Sequence, residues 1–457
     1  MTSSGAAKTD AASLARDPIV LDDLLENGQG VGRINGLVTF VTGGLPGERV
    51  RIGIDELKKN YAGAHVIGIE EASHDRVDPG CSVFPRCGGC QTLHLRYFAE
   101  LEWKRKRVVD ALARLGGIRS VDVDDVVTTQ SETDPGYRNK ASLVCKRERG
   151  ADRLGFYGAR SHRLVAIESC PVLVPRLRMA VERLVAFATQ KPQAMLGVEH
   201  VIARASATGG DLVVAFSGKQ PNRALGGALG DLRHLIPDLT GIVAAWDPSS
   251  DNAVLGRRSA VLWGSPVLRE RVLDADFHFG IGSFFQINTA LLERLAGRIV
   301  ERLRGARRVV DLYCGVGTFA ILLSKNGVGT TGVEASQHAV DEAAANAARN
   351  GVTNAAFECA AAAHALAGER GRSLLAGTDA VILDPPRKGC EEGVLAPLAA
   401  AAVPTILYVS CNPATLARDA AILASSGYSL KAVQPFDMFP RTGHVEALAE
   451  FERATTR

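Results

Sequence analysis

Two groups of cysteines could do chemistry in this chain. Cys411 sits in Ser410-Cys411-Asn412-Pro413, where the Asn-Pro step must turn the chain out of the apolar run before it. A thiolate there would be a nucleophile, although a free thiol with a pKa of ~8.5 is only a few per cent ionised at neutral pH unless its surroundings shift it. The alternative for a lone cysteine is a buried packing residue, which is how Cys314, Cys359 and Cys390 are read. The second group is Cys81-x5-Cys87-x2-Cys90, with Gly88 and Gly89 inside its last turn. Such a knuckle lets two thiolates converge on one metal. For a fourth ligand the best placed is Cys170, in Glu168-Ser169-Cys170-Pro171, followed by Cys145. Spacing alone leaves zinc and an iron–sulfur centre both open.

Carboxylates supply a second chemistry. Asp311-Leu312-Tyr313-Cys314-Gly315-Val316-Gly317-Thr318 stands where a strand gives way to a helix, so its glycines allow backbone N–H groups to approach a ligand. Glu334 ends the following strand, 23 residues after Asp311, and can accept both hydroxyls of a ribose. Dinucleotide sites use a related turn with glycine or alanine at the third position, here Ala320. Asp311 would repel a pyrophosphate but suits a cation, which favours S-adenosylmethionine over NAD. Asp384-Pro385-Pro386-Arg387-Lys388-Gly389 ends another strand, and an arginine after Asp-Pro-Pro argues against methylation of an exocyclic amine, for which an aromatic would be expected. It favours contacts to phosphate or to a base edge.

These groups need elements to hold them. Over 286–457 the chain alternates strand and helix, with strands expected at 308–313, 328–333, 380–383 and 405–410 and Ala-rich helices such as 339–350 between them. That is an open parallel α/β sheet, whose ligands bind beyond the carboxyl ends of its strands. The apolar run 394–409 is broken by Pro397 and Pro404 and reads as a helix and a buried strand, not a membrane span. Residues 17–73 are rich in Val, Ile and Gly with turn signals such as Asn35-Gly36, which predicts a small β-barrel of the oligonucleotide-binding kind. A central region, 74–285, mixes the charged helix 99–115 with strands at 140–146, 154–157 and 211–216. Residues 1–16 read as a disordered tail without the apolar stretch of a signal peptide.

Composition bounds the rest. A chain of 457 residues makes two or three domains. Nine unevenly spaced cysteines point to a reducing, cytoplasmic setting with metal-binding or catalytic thiols. Lys and Arg total 53 against 50 Asp and Glu, which excludes a purely electrostatic nucleic-acid binder. Residues 81–175, however, hold 16 basic and 11 acidic side chains, a local excess that suits a polyanion path. Nothing demands more than a monomer.

The motifs together resemble those of the bacterial RNA uridine C5-methyltransferases, which make 5-methyluridine in transfer and ribosomal RNA. The resemblance runs over about 17–453 and is carried by Ser283-Phe284-Phe285-Gln286-Ile287-Asn288, the Asp311–Phe319 turn, the Asp384–Gly389 and Ser410–Pro413 segments, and Asp437-Met438-Phe439-Pro440-Arg441-Thr442-Gly443-His444-Val445-Glu446. It implies a TRAM barrel at the N-terminus, a central α+β domain and a Rossmann-like class I methyltransferase domain. It implies Cys411 as nucleophile, Glu446 as the base that removes the C5 proton, and Gln286, Tyr313, Glu334 and Asp384 around S-adenosylmethionine. Thr318 stands where relatives often have a cofactor-contacting Asn, and Ala361 where they usually have a polar residue on the adenine. The cysteine motif matches members that carry a [4Fe-4S] cluster on the equivalents of Cys81, Cys87, Cys90 and Cys170, with zinc the alternative. RNA is the implied partner. A second class of reading is an RNA-binding or chaperone module in which the methyltransferase fold has weakened, to which Ala361 points. A zinc-containing relative acting on another RNA base is a third.

Overall fold

The computed structural model describes residues 17–148, 151–247 and 254–454, so the tail expected at 1–16 lies outside the described residues. The chain divides into two compact units. One comprises the described residues through Glu100 together with Tyr157–Val165 and Arg441–Gly443. The other comprises Leu101–Phe156, Ala166–Pro440 and the chain from His444.

In the first unit five strands close into a barrel, in the order Ile19–Leu24, Gln29–Ile34, Leu37–Thr42, Tyr61–Glu71, Arg49–Leu57. Period-two alternation sends Leu21, Ile34, Val41, Val50, Ile52 and Ala64 inward. Asn35 and Gly36 join two of the strands with φ of 49° and 83°. Positive φ at both positions is the demand of a two-residue hairpin turn, and Asn-Gly is the pair that meets it. Glu48 is fully buried beside the barrel and takes both Nε (2.5 Å) and Nη2 (2.8 Å) of Arg76.

The second unit contains a mixed sheet that includes Arg258–Gly264, Gly241–Trp246, Leu212–Gly218, His200–Ala205 and Lys140–Glu148 in that order. It also contains the hairpin Val267–Val272/Ala275–Gly280. Its C-terminal sheet runs Ala355–Cys359, Gly329–Glu334, Arg308–Leu312, Ala380–Leu383, Thr405–Ser410, Glu446–Arg453, Tyr428–Phe436. The first five are parallel, as the alternating pattern predicts, but Glu446–Arg453 and Tyr428–Phe436 form an antiparallel hairpin at one edge. Only a short loop joins those two strands, too short for the crossover that parallel pairing needs. The central strands are buried on both faces, as parallel strands are. Val309, Ile382 and Leu407 enter one apolar cluster, while Val310, Val381 and Ile406 enter the other.

Two contacts hold segments that lead to the strand ends. The helix Gln337–Arg349 lies along the hairpin strand Ala275–Gly280. Glu342 accepts the N–H of Gly280 (2.8 Å), Asn346 that of His278 (2.8 Å), and Asn350, just past the helix, that of Asp276 (2.9 Å). Four helical residues rise about 6 Å and two strand residues about 6.6 Å, so the two periods match over the two steps between these three contacts. In the same unit Lys104 Nζ meets Asp437 Oδ1 at 2.5 Å and donates to the Phe439 carbonyl at 3.1 Å, with both charged side chains fully buried. Among the described residues no helix is long and apolar enough to cross a membrane; the run 394–409 forms the helix Leu395–Ala400 and the strand Thr405–Ser410.

A buried ion pair broken on one side leaves an uncompensated charge. Lys104→Met is therefore expected to cost ~3–5 kcal/mol, and Lys104→Met/Asp437→Leu to recover most of it, as read from urea midpoints. A single variant as stable as the parent would show that the pair does not hold the 437–440 segment.

Candidate active site

A cavity of about 710 Å³ opens at the carboxyl ends of the parallel strands. Gln286, Tyr313, Glu334, Asp384, Cys411 and Glu446 all line it. Thr318 lines a narrower adjoining cavity that shares Gln286, Tyr313 and Asp384. The sequence-derived residues of the C-terminal region thus come together in one place, where an open α/β sheet binds ligands.

The glycine-rich turn enters through strained backbone. Tyr313, Gly315 and Gly317 have φ of 67°, 55° and 83°. Gly317 has no space for a side chain: an added Cβ would lie 3.0 Å from the Phe357 ring and 3.1 Å from Ala343. Asp311, fully buried, accepts the Ala320 N–H at 3.1 Å and so ties its strand to the helix Thr318–Lys325. Burial, with the nearby Asp384, lifts its carboxyl well above the usual range. Glu334 is fixed at both oxygens, by Gly315 N–H (3.2 Å) and Ser336 N–H (2.9 Å).

Cys411 and Glu446, 35 residues apart, meet through strand register. The strands Thr405–Ser410 and Glu446–Arg453 pair antiparallel, with Ser410 opposite Ala447. One step further along this register sets Cys411 opposite Glu446, and both line the cavity. The Asp384–Gly389 loop is tied to the same turn, because the Arg387 carbonyl accepts from Asn412 Nδ2 (3.1 Å) and Thr415 Oγ1 (3.4 Å). Asn412 also caps the helix Pro413–Ser425 by accepting from Ala414 N–H (3.0 Å). The Arg387 guanidinium stands 2.9 Å from His444 Nε2.

Electrostatics at the site are dominated by burial. Burial raises the Asp384 carboxyl, and burial together with Asp384 raises that of Glu446, which Arg387 opposes. The Cys411 thiol is pushed up to about 12 by burial first, then by Glu446 and Asp384, again opposed by Arg387. Four carboxylates and one arginine line the cavity: Glu334, Asp384, Glu391 and Glu446 with Arg387. This predominance of acidic groups over the single arginine fits a cationic ligand such as a sulfonium, whose charge would favour the ionised forms of Asp384 and Glu446.

Other residues at the cavity lay inside the quoted motifs without an assigned role. Phe284, Phe439 and His444 line it, and the Phe284 side chain is 73% exposed. Their aromatic character within Ser283–Asn288 and Asp437–Glu446 was the available signal. Ala361 also lines it, beside Ala360, Ala362, Ala335 and Ala339, so this wall offers alkyl groups to a ligand.

The cysteines divide. Cys314, Cys390 and Cys145 are buried. Cys359 corrects the expectation of a packing residue: it is exposed, because its strand is the edge of the sheet. Cys81, Cys87 and Cys90 belong to the first unit and Cys170 to the second. Gly89 N–H donates to Cys87 Sγ at 3.4 Å. Among the described residues, no three or more His, Cys, Asp or Glu side chains are grouped so that they could hold a metal ion.

Residues 268–453 match the family described as tRNA (Uracil-5-)-methyltransferase, and 19–67 match the TRAM domain. An uncharacterised RNA methyltransferase of Listeria innocua is 34% identical over 440 residues, covering 94% of this chain and 96% of its own. One from Clostridium tetani is 36% identical over 437 residues, covering 92% and 93%. The crystal structure of the Pyrococcus abyssi tRNA (uracil-54, C5)-methyltransferase in complex with S-adenosyl-L-homocysteine superposes with a TM-score of 0.74 at 28% identity, covering 95% of this chain and 99% of that one. With its barrel, its sheet order and its acidic cavity, the chain belongs to the tRNA uracil-5-methyltransferase family, S-adenosylmethionine-dependent RNA methyltransferases with an N-terminal TRAM domain.

Proposed function

We propose that this methyltransferase transfers a methyl group to C5 of a uridine in ribosomal or transfer RNA through a covalent adduct between Cys411 and C6. The observation that carries the reading is the meeting of Cys411 and Glu446 at one cavity through the antiparallel register of their strands. C5 of uracil is too weak a nucleophile to take a methyl group unaided. The Cys411 thiolate adds to C6, and the electron pair of the C5–C6 double bond moves toward O4 as an enolate, which makes C5 nucleophilic. S-adenosylmethionine, which Gln286, Tyr313, Thr318, Glu334 and Asp384 would hold, would supply an electrophilic methyl group: the C5–methyl bond forms as the sulfur–methyl bond breaks, and S-adenosylhomocysteine is the leaving group. Once C5 carries both methyl and hydrogen, Glu446 accepts the C5 proton, the double bond re-forms and the C6–Sγ bond breaks. A positioned base of this kind is worth ~10²–10⁴-fold. Arg387 favours the thiolate and faces the base edge, while the exposed Phe284 ring offers a stacking surface to a base drawn out of its helix. The barrel within 17–73 is the proposed RNA-binding module.

The reaction is tested with RNA containing 5-fluorouridine. Fluorine at C5 cannot leave as a proton, so the enzyme is expected to stall as a protein–RNA adduct on denaturing gels. Cys411→Ala should give no adduct. Glu446→Gln should accumulate adduct on ordinary RNA, because elimination lacks its base. An undiminished adduct in Cys411→Ala, or labelled methyl groups absent from 5-methyluridine after digestion to nucleosides, refutes the mechanism.

The electrostatic assignment has a separate readout, the alkylation rate of Cys411 followed by peptide mass spectrometry. With the thiol held near 12, the rate should climb about tenfold per pH unit from pH 7 to 10. Arg387→Gln removes the cation that favours the thiolate and should slow alkylation, whereas Glu446→Gln removes a disfavouring carboxylate and should speed it at the alkaline end. Shifts of the same sign in both variants contradict the assignment.

For the cysteine motif our reading is a [4Fe-4S] cluster on Cys81, Cys87, Cys90 and Cys170, structural or RNA-orienting, since methyl transfer needs no electron. Protein purified without oxygen should be brown and carry about four irons per chain. A colourless protein with one zinc would replace the cluster by its alternative.

A further inference from the structure

The segment 281–288 delivers Phe284 and Gln286 to the cavity, yet it is neither helix nor strand. The Phe284 ring is exposed, so packing does not hold it. Its backbone is held instead. Arg204, in the strand His200–Ala205, is only 1% exposed. Its Nη1 donates to the Ser283 carbonyl (3.0 Å) and its Nη2 to the Phe285 carbonyl (2.8 Å), the residues on either side of Phe284. The guanidinium lies 4.5 Å from the centroid of Phe279, which stacks on Phe285 with centroids 4.4 Å apart and 13° between planes. From the helix Gln337–Arg349, Glu342 Oε1 accepts the Gly280 N–H (2.8 Å) and the Ser283 hydroxyl (2.9 Å).

Burying a guanidinium is costly, and burial lowers its pKa to about 10 despite Glu270 and Glu342. An apolar side chain would fill the same space at less cost. What it could not do is reach two carbonyls at once with a rigid planar group, and a lysine, with one flexible ammonium, could not either. We propose that Arg204 is a positioning residue: with Glu342 opposite, it fixes the backbone on both sides of Phe284 so that this ring and Gln286 project into the Cys411 cavity, where a nucleobase would be stacked. The inference rests on the reading above that a uridine enters this cavity.

The test is a double-mutant cycle between Arg204 and Phe284, whose side chains need not touch for the mechanism to hold. Arg204→Lys and Phe284→Ala are each expected to raise KM for RNA about tenfold while kcat changes less than about threefold, and the double variant should be no worse than the worse single one, because the second change removes what the first only misplaces. An unchanged KM in Arg204→Lys, or additive effects near a hundredfold in the double variant, would overturn the proposal. If Arg204→Lys does not fold, Ser283→Ala, which deletes the hydroxyl's contacts to Glu342 and to His338 Nε2 (3.4 Å) but keeps the backbone, decides: a raised KM that is non-additive with Phe284→Ala supports the clamp, and additivity or no change rejects it. Digestion of the wild-type product separates the two ideas. Label absent from 5-methyluridine ends the functional reading, whereas label present with additive variants ends only the role of Arg204.

Discussion

The register between two antiparallel strands is the constraint on which the site depends. Ser410 lies opposite Ala447, and from that pairing the thiol and the carboxylate proposed to work together follow without a further device. A slip of one residue would turn Glu446 to the other face of the sheet, because side chains alternate along a strand. The register is guarded by burial on both faces: Tyr408, Val409, Ala447 and Ala449 are each at most 1% exposed, and any shift would move apolar groups out of shape-matched positions. Tyr408 adds a directional restraint, its hydroxyl donating at 2.7 Å to the buried Asp419, which also accepts the Cys390 N–H at 2.9 Å.

The same burial that fixes the geometry sets the electrostatics. A thiol and two carboxylates removed from water all prefer their neutral forms, and one guanidinium among them only partly offsets this.

Much of this could be read from the chain before its fold was known. The parallel strands, the glycine turn and Glu334 at a strand end announce themselves through local pattern, and Cys411 through its position before Asn-Pro. Glu446 did not: nothing within several residues of it marks a base, and only a resemblance pointed there. The edge hairpin escaped because its partner strand is set by a loop geometry that periodicity does not encode. Cys359 was misread because exposure depends on where its strand falls in the sheet order. Arg204 carried no signal at all, since its significance lies in two carbonyls about 80 residues away. The cysteine knuckle is the reverse case, a legible motif where, among the described residues, no group of three or more ligating side chains forms a metal site.

The ladder of Glu342, Asn346 and Asn350 on the amides of Gly280, His278 and Asp276 has a bearing on how this chain can vary. Two unequal repeats, one of four residues and one of two, coincide only while both segments keep their present residue count. A single insertion or deletion between two rungs would put the rungs on its two sides out of step, whereas an exchange of side chains on their outward faces would not. The contact therefore tolerates substitution more readily than a change of length.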